Sequence, residues 1–475
     1  MVTTYTIPFS SIAKERSNRF DVDFLGYQFL SERKSNFALE NLFEIIEKAE
    51  VKVPDKFKYC EIGNVDKSGE IDPVILDRAN RNELNEPLFK KIDKHDVIAP
   101  VKGDILISSV RPNLRKIVYI DDEKAEVYFT KAFIQLRPSK NGHVLYYLLR
   151  SVFFNDLISL SRQGKGYPTL KPSDLTWLRF DRQVITKLIE NEKRVLPHIK
   201  KTEREIKLLR LKLREPKEII DQSFAEEFGF DWQGAYSEDS DKTFKLQASS
   251  IAENNSNIRS GYRWQKLLRI QKVLYKDRVD VVKLGPLIQS TRNGWSPPCN
   301  ETGEGIAVLG VDAIKHSGVI SFDSPKYTAS KRNNIDEFYI SKGDLFVSRG
   351  NTLELVALAG VVEDELDQNT IFPDLFIKLT LNTDEVRSKY LAYLFNSSAG
   401  RLYFKYSAKG KNQTMVKISS YELEDFDIPL PPKPQQDRII HKIDSQLEEL
   451  EAKRNIISQK RDFIGNKIGN IIRNN

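Results

Sequence analysis

A duplication constrains this chain more than any other feature. Lys102-Gly103-Asp104-Ile105-Leu106-Ile107-Ser108 recurs as Lys342-Gly343-Asp344-Leu345-Phe346-Val347-Ser348, an offset of 240 residues. Ala132-Phe133-Ile134-Gln135-Leu136 recurs as Leu375-Phe376-Ile377-Lys378-Leu379 at 243, and Gly164-Lys165 and Phe180-Asp181 recur as Gly410-Lys411 and Phe426-Asp427 at 246. Upstream, Arg19-Phe20 resembles Arg263-Trp264 at 244. An offset that rises or holds along the main blocks is what small loop insertions leave in a true repeat. The chain is therefore expected to fold as two diverged copies of one plan.

Each copy ends in an apolar pattern of period seven. Ile185, Ile199, Ile206 and Leu213 alternate with Leu188, Val195 and Leu209; later, Ile440, Leu447 and Ile468 alternate with Ile443, Leu450, Ile457, Ile464 and Ile471. At about 1.5 Å per residue, Ile185–Leu213 spans roughly 43 Å and Ile440–Ile471 roughly 48 Å, so the two helices can pair over most of their length. Pro197 and Pro216 are expected to kink or end the first. The segments before each helix carry short β-branched and aromatic runs broken by Gly, Pro and Asn, the pattern of strand-rich domains. Ala235–Ser260, rich in Ser, Asp and Asn, reads as a linker. If the helices run antiparallel, the first carries the chain to the second domain and the other returns it, closing a pseudo-two-fold molecule.

Charge follows this division. The net charge is +7, and the excess lies in residues 182–221, with twelve Lys/Arg against seven Asp/Glu, and 434–475, with eight against six. Lys200, Lys201, Arg204, Lys207, Arg210 and Lys212 could approach phosphates or a partner, but their spacing is also that of a solvated helix surface, the simpler reading. With 40% hydrophobic and 30% charged residues the chain is globular rather than disordered, and at roughly 150 residues per domain about three packed units are expected. No apolar run reaches membrane-spanning length, and Met1-Val2-Thr3-Thr4-Tyr5 lacks a signal-peptide pattern, so a cytoplasmic protein is expected. Cys60 and Cys299, with five histidines, are too few for a disulfide framework or an ordinary zinc site.

The two Gly-Asp strands, together with Phe426-Asp427-Ile428-Pro429-Leu430-Pro431-Pro432-Lys433-Pro434-Gln435-Gln436-Asp437-Arg438-Ile439-Ile440, resemble the DNA-specificity subunits of type I restriction-modification systems over essentially the whole chain. The long segment is similar to that family's junction between recognition domain and conserved helix. The first copy, Arg179-Phe180-Asp181-Arg182-Gln183-Val184, lacks its Pro-rich part. The resemblance implies an α+β fold: two similar strand-rich target-recognition domains joined by a long antiparallel coiled coil, in a pseudo-two-fold internal repeat. The expected boundaries are 1–180 for the first domain, 181–234 for the central helix, 235–433 for linker and second domain, and 434–475 for the C-terminal helix. It further implies double-stranded DNA as ligand, two adenine-methyltransferase subunits as partners, and two motor-nuclease subunits in the restriction form. The chain itself would bind no cofactor; S-adenosylmethionine would belong to the methyltransferase.

A search for catalytic equipment supports the absence of chemistry in this chain. The Asp/Asn-Pro-Pro-aromatic loop of adenine methyltransferases is missing, since Ser296-Pro297-Pro298-Cys299 and Leu430-Pro431-Pro432-Lys433 have neither the amide nor the aromatic. No Gly-x-x-x-x-Gly-Lys-Ser/Thr loop occurs. The acids at Asp121-Asp122-Glu123-Lys124 and at Glu363, Asp364, Glu365 and Asp367 read as solvated turns. A fused enzyme with an unrecognised motif and a coiled-coil adaptor that ignores DNA are the alternatives.

Candidate DNA contacts are the basic and amide side chains that recur beside glycines. These are Arg162, Gln163 and Lys165 in the first copy, and Lys409, Lys411, Asn412 and Gln413 in the second. Arg111 and Asn113 follow the first Gly-Asp strand, with Arg115 beyond them; Arg349 and Asn351 follow the second. Arg292 and Asn293 precede Gly294-Trp295, where a hairpin turn is the simpler reading. Gly103, Asp104, Gly343 and Asp344 are expected to be structural, marking a turn into a buried strand.

Overall fold

The computed structural model describes residues 37–66, 69–81, 85–139, 142–150, 169–176, 179–180, 182–240, 262–275, 280–300, 303–323, 325–366, 369–412 and 415–473. The chain divides into two units, not three: residues 1–211 with 455–475, and residues 212–454. Both mix helices with several small sheets.

In the first unit the strands are β1 (Phe37–Ala38), β2 (Phe43–Ile45), β3 (Lys56–Cys60), β4 (Val74–Asp77), β5 (Ile105–Ser108), β6 (Ile117–Tyr119), β7 (Val127–Phe129), β8 (Phe133–Pro138) and β9 (Arg179–Phe180). They form a four-stranded sheet in the order β2-β8-β5-β6, a three-stranded sheet β4-β3-β7 and the pair β1-β9. Helices α1 (Glu86–Asp93), α2 (Gly142–Arg150), α3 (Pro172–Thr176) and α4 (Arg182–Arg210) complete it.

The second unit holds α5 (Pro216–Phe228), α6 (Trp232–Ser240) and α7 (Tyr262–Tyr275), then β10 (Val281–Lys283), β11 (Ile288–Asn293), β12 (Ile306–Val308), β13 (Lys326–Thr328), β14 (Leu345–Ser348), β15 (Gly350–Asn351), β16 (Ala359–Val361), β17 (Thr370–Ile371) and β18 (Phe376–Leu381). Helices α8 (Ser388–Asn396) and α9 (Ser398–Ser407), strands β19 (Lys409–Asn412) and β20 (Met415–Lys417), α10 (Ser420–Glu424), β21 (Asp427–Pro429) and the long α11 (Lys433–Arg473) follow. Its sheets are β11-β18-β14-β16, β13-β12-β17, β15-β20-β19 and the pair β10-β21.

The central strands explain the repeated motif. Every residue of β5 and of β14 is buried, as a strand covered on both faces requires. Each is entered through a four-residue turn whose third position, Gly103 at φ +95° or Gly343 at φ +87°, is left-handed and suits glycine. Gly103 N–H donates to Ile120 O and Gly343 N–H to Val362 O, both at 2.8 Å. The Asp104 carboxylate accepts from Val101 N–H, Gln135 Nε2 and Arg137 Nε; Asp344 accepts from Ser341 N–H and Lys378 Nζ. The Gly-Asp signature is thus a turn-and-brace.

One alignment needs correcting. Leu170 N–H donates to Ser109 O and Ile418 N–H to Arg349 O. Lys171 N–H is held by the Asp174 carboxylate and Ser419 N–H by Glu422. These partners put the two copies 248 residues apart at this point (418 against 170), so Phe180, which pairs with Phe37, takes the place of Ile428, which pairs with Val282, and not of Phe426.

The helices also depart from expectation. α4 runs unbroken through Pro197, where an exposed proline costs one helical hydrogen bond, about 3 kcal/mol, while Ile185, Ile199 and Ile206 on either side are buried. The expected central helix 181–234 is interrupted after Arg210 and restarts at Pro216, the first-turn position proline favours. Residues 235–240, read as linker, are helical, with Ala235 fully buried. In α11, Ile443, Leu450, Ile457 and Ile464 are all buried at intervals of seven, whereas Arg454 and Arg461, which interrupt the other row, are exposed. Gln436, fully buried, accepts from Arg387 N–H and donates to Glu385 O and Pro431 O, anchoring the start of α11.

Within the first unit, Lys460 of α11 pairs with Glu205 of α4 at 2.6 Å, and a cleft of about 640 Å³ is lined by Lys187, Asn191, Arg194 and His198 on one side and Lys467 and Asn470 on the other. Rising numbers in α11 thus meet falling numbers in α4, so these stretches are antiparallel. Within the second unit α11 meets α5 in the same sense, through Lys442–Glu226 and Gln435–Glu227.

Candidate nucleic-acid interface

In the second unit the candidate residues converge on the turn 373–375, which leads into β18. Arg349 N–H donates to Leu375 O at 2.7 Å, and its guanidinium Nη1 reaches Asp374 O at 3.4 Å. Gly294 N–H donates to Phe376 O and Trp295 N–H to Phe372 O, and Ser296 Oγ meets Asp374. Arg292-Asn293 is accordingly the exposed end of β11, continuing along β18, and not a hairpin turn. A Cβ on Gly294 would lie 2.2 Å from Pro373 O, so only glycine permits this approach.

The other candidates join through β20. Gly350 pairs with Lys417 and Asn351 with Val416, while Lys409 and Asn412 of β19 pair with Lys417 and Met415 on the other side. Arg349-Gly350-Asn351 and Lys409–Asn412, sixty residues apart in the chain, therefore belong to one three-stranded ribbon. Lys409–Asn412 is strand rather than turn. Gln413 lies outside the described residues, as do Arg162, Gln163 and Lys165 of the first copy.

Comparison with known proteins gives this region its relatives. Residues 276–459 match the family described as "Type I restriction modification DNA specificity domain". Those residues are thus similar to the type I DNA-specificity family. It is 24% identical over 159 residues to the type I restriction enzyme EcoKI specificity subunit of Escherichia coli strain K12, covering 33% of this chain and 34% of that protein. It is 25% identical over 167 residues to the EcoEI specificity subunit of Escherichia coli, covering 34% and 28%. The matches thus span about a third of those relatives. Among solved structures, the S subunit of a type I restriction-modification system from M. genitalium is similar at 12% identity and a TM-score of 0.39, covering 92% of this chain and 96% of that one.

Not every cation on the second unit is equally available. Arg292 is ion-paired with Glu337, whose carboxyl this hydrogen bond holds below its usual range. Lys409 pairs with Glu422 at 2.6 Å and lies over the Tyr421 ring. Burial opposes ionisation of Glu422, yet the Lys409 and Ser419 donors outweigh it and its pKa is lowered. Lys409 is therefore braced at the foot of the ribbon. Asn351, half-buried, accepts from Thr352 N–H through its Oδ1.

Sequence reasoning missed Met415 and Lys417, which are exposed on either side of buried Val416 in the central strand of the ribbon. The alternation was a signal, but too short to stand out. Arg332, 4.5 Å from the Phe338 ring centroid and 5.6 Å from that of Trp295, was also missed, because 37 residues separate it from Trp295.

In the first unit the described candidates sit on a strained loop. Arg111 (φ +49°) and Arg115 (φ +54°) flank a short 3-10 turn at Pro112–Leu114, and Arg111 and Asn113 are exposed. A left-handed non-glycine residue costs roughly 1–2 kcal/mol, and strain of this kind gathers where a loop presents side chains. By hydrogen bonding, Ser109 rather than Arg111 occupies the place of Arg349: Ser109 N–H donates to Ala132 O as Arg349 N–H does to Leu375 O. The acidic turns are paired, with Asp122 meeting Lys102 and Glu123 meeting Lys207. Among the described residues no group of three His, Cys, Asp or Glu could hold a metal ion, and no helix is long and apolar enough to cross a membrane.

Proposed function

We propose that the chain is a non-catalytic DNA-specificity subunit that reads a bipartite duplex target, one half-site per unit, and brings methyltransferase subunits, with motor-nuclease subunits in the restricting form, to that site. The observation that carries this is the recurrence of one strand order, β2-β8-β5-β6 and β11-β18-β14-β16, in a chain whose second copy matches the specificity domain. The two copies are then target-recognition domains of a pseudo-two-fold repeat, and α4 with α11 an antiparallel coiled coil that sets the gap between half-sites. Arg349, Asn351, Lys411, Asn412 and Gln413 would read one half-site, and Arg111, Asn113, Arg162, Gln163 and Lys165 the other. S-adenosylmethionine and base extrusion belong to the methyltransferase.

The test is methylation-site selection by the assembled complex. Lys411→Ala with Gln413→Ala should relax one half-site by roughly 1–3 kcal/mol of discrimination and leave the other intact, while Arg162→Ala with Lys165→Ala does the reverse. One heptad inserted into both helices adds about 10 Å and should widen the preferred gap by about three base pairs. Unchanged half-sites and gap would overturn the reading, as would methyl transfer by this chain alone.

A further inference from the structure

Helix α4 carries a cationic face that the described residues of its unit do not neutralise. Other cations around it are matched: Lys207 with Glu123, Arg210 with Asp66, and Lys460 of α11 with Glu205 of α4. Glu203 is taken up by the Tyr147 hydroxyl at 2.9 Å. Lys193, Lys200, Lys201 and Arg204 are exposed and make no ion pair among the described residues. At about 100° per residue they share one side of the helix, nearly opposite buried Ile199 and Ile206. With Leu196 and Pro197 they line a shallow trough of about 550 Å³ whose described lining contains no acid.

Two properties of this face select its occupant. Like charges three and four residues apart on a helix repel, so an anion that bridges them is favoured. Interfaces between proteins deplete lysine at their centre and are anchored by large apolar or aromatic groups, and the trough offers only Leu196 and Pro197; exposed Leu208 and Leu211 begin beyond Arg204. From Lys193 to Arg204 the face runs about 17 Å, the length of about five phosphates along one strand of a duplex.

We propose that this face holds the phosphate backbone of duplex DNA outside the bases that are read, adding affinity without sequence preference. The inference rests on the chain being a DNA-binding subunit. Its test uses the full chain with its methyltransferase partner and measures affinity against salt concentration, on duplexes with the selected half-sites and with scrambled ones. Replacing Lys193, Lys200, Lys201 and Arg204 by Gln should weaken both duplexes by the same factor. It should also flatten the slope of log K against log salt by about 3 to 4, at roughly 0.9 per phosphate released, with the selected half-sites unchanged. Replacing the three lysines by Arg should retain the wild-type slope, which separates lost charge from lost folding. An unchanged slope in the Gln variant overturns the proposal, and so does loss of methyltransferase association with an unchanged slope, which would make the face a protein dock. Failure of the wild type to distinguish the duplexes would instead overturn the specificity reading.

Discussion

Asp104 in the first unit is 1% exposed and gathers Gln135, Arg137 and a backbone N–H, whereas Asp344 in the second, its side chain 15% exposed, gathers Lys378 and a backbone N–H. The two units share a ladder and a turn but brace it with different chemistry. The segments that follow the ladder diverge further. After β14 the second unit builds the ribbon β15-β20-β19, while the described residues of the first keep only the bridge Val110–Thr169, beside a strained 3-10 turn. The lesson is that the buried ladder tolerates little, so it stays alike, while the edge facing solvent is free to change.

The strongest way to break this comparison is to empty the shared core. Phe346→Ala should cost about 3–5 kcal/mol and Leu106→Ala, at the matching place, about 2–5; both side chains are fully buried. Separate denaturation transitions for the two units should shift one at a time, and a single joint shift would show that the units fold together. Next is the brace. Asp104→Ala strands the buried Gln135 amide, an effect of roughly 1–3 kcal/mol, while Asp344→Ala frees a partly exposed Lys378 that water can satisfy. Amide exchange in β5 should therefore accelerate more than in β14.

A smaller and symmetrical effect is expected at the turns. Nothing lies within 4 Å of a Cβ built on Gly103 or Gly343, so alanine at either meets only backbone strain, about 1–2 kcal/mol, and the two losses should be equal. The smallest effect sharpens the comparison at the edge. Because the folded-state pKa of Glu422 is lowered, its contribution is complete above the unfolded value of about 4.3 and is lost as pH falls through the lower folded value. Protection of the β20 amides, corrected for intrinsic exchange, should fall with acid in the wild type and lose that dependence in Glu422→Gln.

The sequence by itself determined the repeat, the Gly-Asp turns, the buried β5 and β14, and the heptad row Ile443, Leu450, Ile457 and Ile464, because each is written in local period or in glycine's tolerance of positive φ. Tertiary structure alone decided the rest. Whether Pro197 ends a helix depends on what its neighbours bury; whether Arg292 sits in a turn or a strand depends on β18. That Arg349 and Lys409–Asn412 share one ribbon depends on β20 pairing with both. These are long-range pairings, and a local pattern cannot carry the hydrogen-bond register that selects among them.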